Sequence, residues 1–181
     1  MLFTGKGDGG ETDLWACDQR ISKSSAVAEA LGSLDEINSL LGLCKLQSRQ
    51  ENFLVGEKSV EEVVADAQQT LFIIQAELAG TPMTVEAGKV EAMSALIGEI
   101  EKMLPPIHSF FVSGGILLST YFDYARTVAR RAERRVVASQ EEKKKIGPHS
   151  LAYLNRLSSL LYALARLANH KSGITEERPH Y

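Results

Sequence analysis

Leu151-Ala152-Tyr153-Leu154-Asn155-Arg156-Leu157-Ser158-Ser159-Leu160-Leu161-Tyr162-Ala163-Leu164 follows Gly147-Pro148 and sets leucines at 151, 154, 157, 161 and 164. Spacings of three and four place those leucines on one stripe of an α-helix, with Asn155, Ser159, Tyr162 and Arg166 on a narrow polar stripe opposite. The preceding Gly-Pro is a start signal, because the first turn of a helix does not use the N–H that proline lacks. The stretch reads as a long amphipathic helix whose apolar face needs partners. Its polar stripe, taken alone, reads as the solvent side.

The same period recurs upstream. A first helix is predicted from about Ser25 to Ser48, with Val27, Leu31, Leu34, Ile37 and Leu41 in phase and Asp35, Glu36 and Asn38 interrupting it. A second opens on a capping box, Ser59-Val60-Glu61-Glu62, and stops at Gly80 with Pro82 beyond. A third covers roughly Val85 to Leu104, aligns Val90, Met93, Ile97 and Ile100, and is ended by Pro105-Pro106. The fourth starts after Gly114-Gly115 and runs to about Lys144. No stretch reads as a buried strand, Phe110-Phe111-Val112 being the best short candidate. Connections are short apart from 49–58, and no internal repeat occurs. Five successive amphipathic helices predict an all-α, five-helix antiparallel bundle in a single domain over 1–181. Its parts are a glycine-rich N-terminal loop (1–23), the bundle (24–170) and a loose tail (171–181) marked by Gly173 and Pro179.

Composition narrows the function classes. A chain of 181 residues suits one domain, and 44% hydrophobic with 24% charged residues excludes wholesale disorder. A net charge of −3 argues against a protein that coats nucleic acid or an anionic membrane. Cys17 and Cys44 form no CxxC pair, so neither a disulfide framework nor a zinc knuckle is expected. The chain turns polar after Met1-Leu2-Phe3, and no apolar run approaches the ~18 residues of a membrane span. A soluble, cytoplasmic protein with no nucleic-acid or membrane partner is expected.

Two segments carry chemistry. Thr4-Gly5-Lys6-Gly7-Asp8-Gly9-Gly10-Glu11-Thr12 holds four glycines, one lysine and two threonines, so backbone N–H groups are free to converge on an anion. It lacks the GxxxxGK[ST] order of a Walker A loop, and a flexible terminus explains the same composition. Lys23, just past Arg20, is placed to close over a phosphate or to stay solvated. The fourth helix gathers Arg126, Arg130, Arg131, Arg134 and Arg135, half of the ten arginines, within ten residues. Asp123, Arg126, Arg130 and Glu133 share one stripe, with Arg134 on its edge. Arginine without lysine suits planar recognition of phosphate or carboxylate, although a salt-bridged helix face fits too. Glu133 either holds an arginine or helps coordinate a cation, and Asp35 is a natural partner for an arginine. Histidines 108, 149, 170 and 180 lie in unrelated contexts, and no protein metal site is expected. A polyphosphate site without a general base suits a nucleophile that needs no help.

Together these segments resemble the PduO-type ATP:cob(I)alamin adenosyltransferases. The family's TGxGDxGxT loop resembles Thr4 to Thr12, and its R-x-S-K turn resembles Arg20 to Lys23. V-D-E-L-N is similar to Leu34-Asp35-Glu36-Ile37-Asn38, and F-I-L-P-G-G to Phe110 through Gly115. A-R-T-x-x-R-R-A-E-R matches Ala125 to Arg134, and N-R-L-S matches Asn155 to Ser158. The resemblance implies a ferritin-like bundle that assembles as a homotrimer, with ATP between neighbouring subunits. Thr4, Gly5, Lys6, Gly7, Thr12, Asp13 and Lys23 would bind ATP from one subunit. Arg130, Arg131, Glu133, Arg134 and Asn155 would complete the site, with Mg2+ on the phosphates. Phe110 would lie against the lower face of the corrin of cobalamin, the substrate, while Arg126 and Asp35 organise the interface. A flavin reductase and an adenosylcobalamin-dependent enzyme are implied as partners.

The chain departs from that pattern at Ser113 and Ile116 around the two glycines, at Asp123 for a histidine, and at Ser159 for an aspartate. Val27 replaces an arginine, and Gly5 and Gly9 stand where many members carry a side chain. The expected activity is transfer of the 5′-deoxyadenosyl group of ATP to cob(I)alamin. The alternative is a catalytically weak paralogue that carries or senses ATP or adenosylcobalamin.

Overall fold

The computed structural model describes residues 3–14, 20–142 and 146–180. Five helices dominate it: α1 (Ala26–Glu51), α2 (Val60–Ala79), α3 (Ala87–Met103), α4 (Leu117–Ser139) and α5 (Pro148–Lys171). Local chemistry sets most of their ends. The Ser25 side chain accepts from Ala28 N at the start of α1, and Ser59 with Glu62 forms the reciprocal capping box of α2. These side chains satisfy N–H groups that have no partner inside a helix. Gly80, at φ 104°, ends α2 in the left-handed region. The first turn of α5 borrows its acceptor from α2: Gly147 N donates to Glu77 Oε1 at 2.8 Å, and Ser150 Oγ donates to the other carboxylate oxygen. A carboxylate at that end also opposes the positive pole of the helix.

The helices pack in the spatial order α2, α1, α4, α5, α3. Neighbours run antiparallel, except that α3 lies alongside α5 in the same sense, as Val85–Ser150 and Ser94–Arg156 hydrogen bonds show. The core joins Leu34, Ile37 and Leu41 of α1, Leu71, Ile74 and Leu78 of α2, Phe122 of α4 and Leu154 and Leu157 of α5. On α4 the inward face is Ala125, Val128, Ala129, Ala132 and Val136, so its arginines are left on the other faces. Helix α1 is not interrupted: Asp35 and Glu36 face solvent, and buried Asn38 exchanges hydrogen bonds with Gln68 of α2.

The connections differ from the sequence reading at two hairpins and at the tail. Residues 11–13 and 20–22 form a hairpin, β1 (Glu11–Asp13) with β2 (Arg20–Ser22), in the register Thr12↔Ile21. A second tight hairpin, β3 (Leu54–Val55) with β4 (Lys58–Ser59), fills the long 49–58 link. Phe110-Phe111-Val112 is not a strand, because Val112 N reaches only a tail carbonyl, Glu177 O at 2.8 Å. The tail is docked, with Ile174 N on Asn169 O at 2.9 Å and Glu176 paired to Arg166. Helix α4 closes in a short 3-10 turn, Gln140–Glu142, and residues 143–145, like Cys17, lie outside the described residues.

Candidate functional site

The arginines of α4 separate by direction. Arg131 pairs with Glu36 of α1, and Arg135 Nε lies 3.3 Å from Glu29 Oε1. The Glu36 hydrogen bond raises the Arg131 pKa further above its already high value. Arg134 turns back along its own helix, donating from Nη1 to Arg130 O at 3.2 Å. Asn155 Nδ2 of α5 donates to Glu133 Oε1 at 3.0 Å. Arg126 and Arg130 turn the other way, toward the C-terminal half of α5.

There they enter a cleft of about 540 Å³, walled by α4, α5, the 107–113 segment and the tail. Arg126 Nε lies 3.3 Å from Asp123 Oδ1, and its guanidinium sits 5.7 Å from the centre of the Tyr162 ring. Burial pushes the Tyr162 hydroxyl above its ordinary pKa. Opposite, Arg166 pairs with Glu176 at 2.9 Å. Among the described residues, Arg130 is the arginine of this cleft without a carboxylate partner. Phe110 stands at the edge with 80% of its surface exposed, an unusual place for a ring that gains by leaving water. Ser109 Oγ beside it is buried without a hydrogen-bond partner. Such an atom normally has a partner, so a ligand or water is expected there. Behind the segment, Asn169 Nδ2 donates to Gly114 O at 2.9 Å and its Oδ1 accepts from Ile116 N at 3.2 Å.

The glycine loop is a separate construction. Gly5 and Gly10 take left-handed φ values of 70° and 82°, giving two turns closed by Asp8 N to Gly5 O and Gly10 N to Gly7 O. Lys23 Nζ donates to Gly7 O at 2.8 Å. Arg20 holds the hairpin together, with bonds to Glu11 at 3.2 Å, Asp13 at 2.9 Å and Lys6 O at 2.6 Å. The loop is exposed and sits by the α1–α2 side, where Asp13 and Leu14 border an apolar groove with Leu31, Phe72 and Met83. Arg20 pairs with two of its carboxylates, Glu11 and Asp13, and the exposed Lys6 and Lys23 are the side-chain cations on the loop that an incoming anion would meet.

The cobalamin adenosyltransferase family model matches residues 2–168. The chain belongs to that family. A corrinoid adenosyltransferase PduO of Salmonella typhimurium is 36% identical over 97% of this chain, which spans 53% of that relative. The chain thus spans about half the length of the longer curated relatives it matches. A corrinoid adenosyltransferase of Bacillus subtilis is 34% identical over 96% of this chain and 89% of its own length. A phenylalanine-to-alanine variant of the PduO-type ATP:corrinoid adenosyltransferase of Lactobacillus reuteri, complexed with cobalamin and ATP, has the same fold. It superimposes with a TM-score of 0.86 and 25% identity, covering 100% of both chains.

Within this adenosyltransferase-family chain, Arg126, Arg130 and Phe110 come together in the cleft, and Glu133 and Asn155 meet beside it. Thr4, Gly5, Lys6, Gly7, Thr12, Asp13 and Lys23 share the loop region, but among the described residues none of their hydrogen bonds or ion pairs reaches α4 or α5. Asp35 is exposed on α1 and pairs with no arginine among the described residues, and Arg131 is engaged by Glu36. Sequence reasoning set aside the polar stripe of α5, yet Tyr162 and Arg166 line the cleft with Asn169. The signal was there in Arg166, a charge inside Ala163-Leu164-Ala165 and Leu167-Ala168. A helix that is apolar on all sides around one arginine must bury it.

Proposed function

We propose that the chain transfers the 5′-deoxyadenosyl group of ATP to cob(I)alamin, giving adenosylcobalamin and inorganic triphosphate. The observation that carries this reading is the cleft itself: an exposed Phe110 and an unpaired Arg130 border an aromatic-lined space, and its two carboxylates, Asp123 and Glu176, are each engaged by an arginine. Family membership and the Lactobacillus reuteri likeness support it, as does the nearly full-length span of the Bacillus subtilis relative. Co(I) uses its own electron pair to form the Co–C5′ bond, while the C5′–O electrons leave with triphosphate. No proton moves. The protein's tasks are to align the reactants, to stabilise charge on the leaving group, and to keep the lower ligand off cobalt.

In this reading Lys6, Lys23, the threonines and the N–H groups of the glycine loop hold the phosphates, with Asp13 acting through Arg20. Arg130, Arg131 and Arg134 receive the charge that develops on triphosphate, and Phe110 covers the lower face of the corrin. Among the described residues none of the loop lines the cleft, so a homotrimer that sets one subunit's loop against another's α4 completes each site. Asp35 and Arg130, both exposed, are free to pair across that boundary. Mg2+ fits the donor set: one oxygen of Glu133 is taken by Asn155, and the other accepts no hydrogen bond among the described residues. The ion would bind mainly through phosphate oxygens and neutralise part of their charge. Co(I) demands a reducing compartment, which suits the cytoplasm, together with a flavin reductase as supplier and an adenosylcobalamin-dependent enzyme as recipient.

The carrier reading has two observations in its favour: Asp123 neutralises Arg126, and Ser159 offers no carboxylate. Anaerobic mixing of the protein with chemically reduced cobalamin and MgATP separates the two. Conversion of the Co(I) spectrum to that of adenosylcobalamin supports the enzyme. Tight ATP binding without conversion establishes the carrier.

A further inference from the structure

Arg166 is 5% exposed, on a turn of α5 where every neighbour from Ala163 to Asn169 is also buried. Its guanidinium has three partners from two different segments. Nε pairs with Glu176 of the tail at 2.9 Å, Nη2 donates to Pro105 O at 3.3 Å, and the guanidinium carbon lies over the Phe111 ring, 5.0 Å from its centre. Val112 N to Glu177 O then ties the same two segments a second time. A buried ion pair is not the cheapest way to hold a fold, since well-packed apolar residues often do as well or better. A guanidinium is, however, suited to fixing two acceptors around its edge while an aromatic ring lies over its face, which lysine cannot do.

The consequence falls on Phe110. It makes no polar contact of its own and is 80% exposed, so its direction is set by its neighbours. With Phe111 held inward on Arg166, and Gly114 and Ile116 held by Asn169, the residue before Phe111 is turned outward to the mouth of the cleft. We propose that Arg166, clamped by Glu176, is a positioning residue for Phe110 and hence for corrinoid, resting on the adenosyltransferase reading above. Among the described residues the clamp's partners include none of the glycine loop, so it acts on the corrinoid half of the reaction and leaves ATP binding alone.

Glu176→Gln tests this, with Phe111→Leu as a second variant that leaves the ion pair intact and Glu176→Asp as the conservative control. Three quantities are read: amide exchange of residues 107–113, the Kd for MgATP, and the KM for cob(I)alamin. Loss of the lower ligand from cob(II)alamin bound with MgATP is followed by its electron paramagnetic resonance signature. Glu176→Gln and Phe111→Leu are expected to speed exchange in 107–113 and raise the corrinoid KM roughly tenfold, the scale of one charged hydrogen bond. The lower-ligand-free signal falls, the Kd for ATP stays within about twofold, a difference too small to register as a lost contact, and Glu176→Asp restores most of the effect. Unchanged exchange, or ATP and corrinoid parameters worsening together, overturns the clamp. If Glu176→Gln fails to fold, Phe111→Leu decides by the same readouts. A wild-type protein unable to alkylate cob(I)alamin overturns the functional reading, and the claim for Phe110 with it. An active wild type with unaltered variants overturns the clamp alone.

Discussion

Replacing Gly115 by alanine puts a methyl group where no space exists. A Cβ at this position would lie 2.0 Å from Asn169 Oδ1, 2.6 Å from its Cγ and 2.7 Å from its Nδ2, and the backbone φ is +109°. The φ value alone costs an L-residue about 1–3 kcal/mol. Relieving the contact requires Asn169, 5% exposed, to swing away from Gly114 O and Ile116 N. Each buried polar group left without its partner costs ~1–3 kcal/mol more. The sum, about 3–9 kcal/mol, is a large share of the ~5–15 kcal/mol that stabilises a typical domain. For a chain of this size it corresponds to a fall in Tm of roughly 6–36 °C. Thermal unfolding followed by far-ultraviolet circular dichroism measures it, with Gly114→Ala as the reference. Gly114 also has a positive φ, +145°, but an added Cβ meets nothing within 4 Å, so only the strain applies. Asn169→Ala in the Gly115→Ala background makes room for the methyl, and the double variant is expected to lose less than the two single losses combined. Equal costs at Gly114 and Gly115 would refute the claim that Asn169 and Gly115 interlock.

Asp35→Asn and Arg130→Ala are each expected to lower turnover by about two to four decades, the scale of stranding one partner of a pair buried by an interface. Mixed and allowed to exchange subunits, the two inactive proteins regain activity from sites built of unaltered halves; exchange proven by sedimentation with no activity regained counts against a shared site. Phe110→Ala is expected to leave the Kd for MgATP unchanged and to lower kcat/KM for cob(I)alamin about 10- to 100-fold, the value of one buried aromatic. Weakened ATP binding or an unfolded chain would make Phe110 a structural residue instead. On the alkaline side, burial pushes Cys44 up to about 12 from 9.0 and raises Tyr153 as well. These groups are neutral when protonated, and the folded chain keeps protons that the unfolded chain releases. Their stabilisation is therefore complete below pH 9.0 and is lost as pH rises from there toward about 12. Urea midpoints across that window should fall steadily, and a flat profile would contradict the burial of Cys44.

The helices were legible because their signals are local. The Ser59 capping box, Pro105-Pro106 and Gly147-Pro148 act within one turn of the chain, and the observed boundaries fall beside them. The pairing of Arg126 with Arg130 was legible for the same reason, since a four-residue step fixes a shared face. What failed depended on distant chain. Arg130 and Arg131 are adjacent, yet one faces the cleft and the other reaches Glu36, because a step of ~100° hands successive residues to different neighbours. The α5 stripe is exposed at Asn155 and Ser159 but buried at Arg166, where the tail and the 105–113 segment cover it. The hairpin of β1 and β2 is only three residues a side and is held by Arg20, so no alternation was long enough to announce it.

The reaction itself is read most directly in a single anaerobic turnover with limiting cob(I)alamin and MgATP, the phosphorus products being followed by nuclear magnetic resonance and the corrin by its absorption. Attack at C5′ gives one inorganic triphosphate for each adenosylcobalamin formed, with no orthophosphate or pyrophosphate ahead of it. ATP cleaved between its phosphates, or a corrin that stays unalkylated while ATP remains bound, would contradict it.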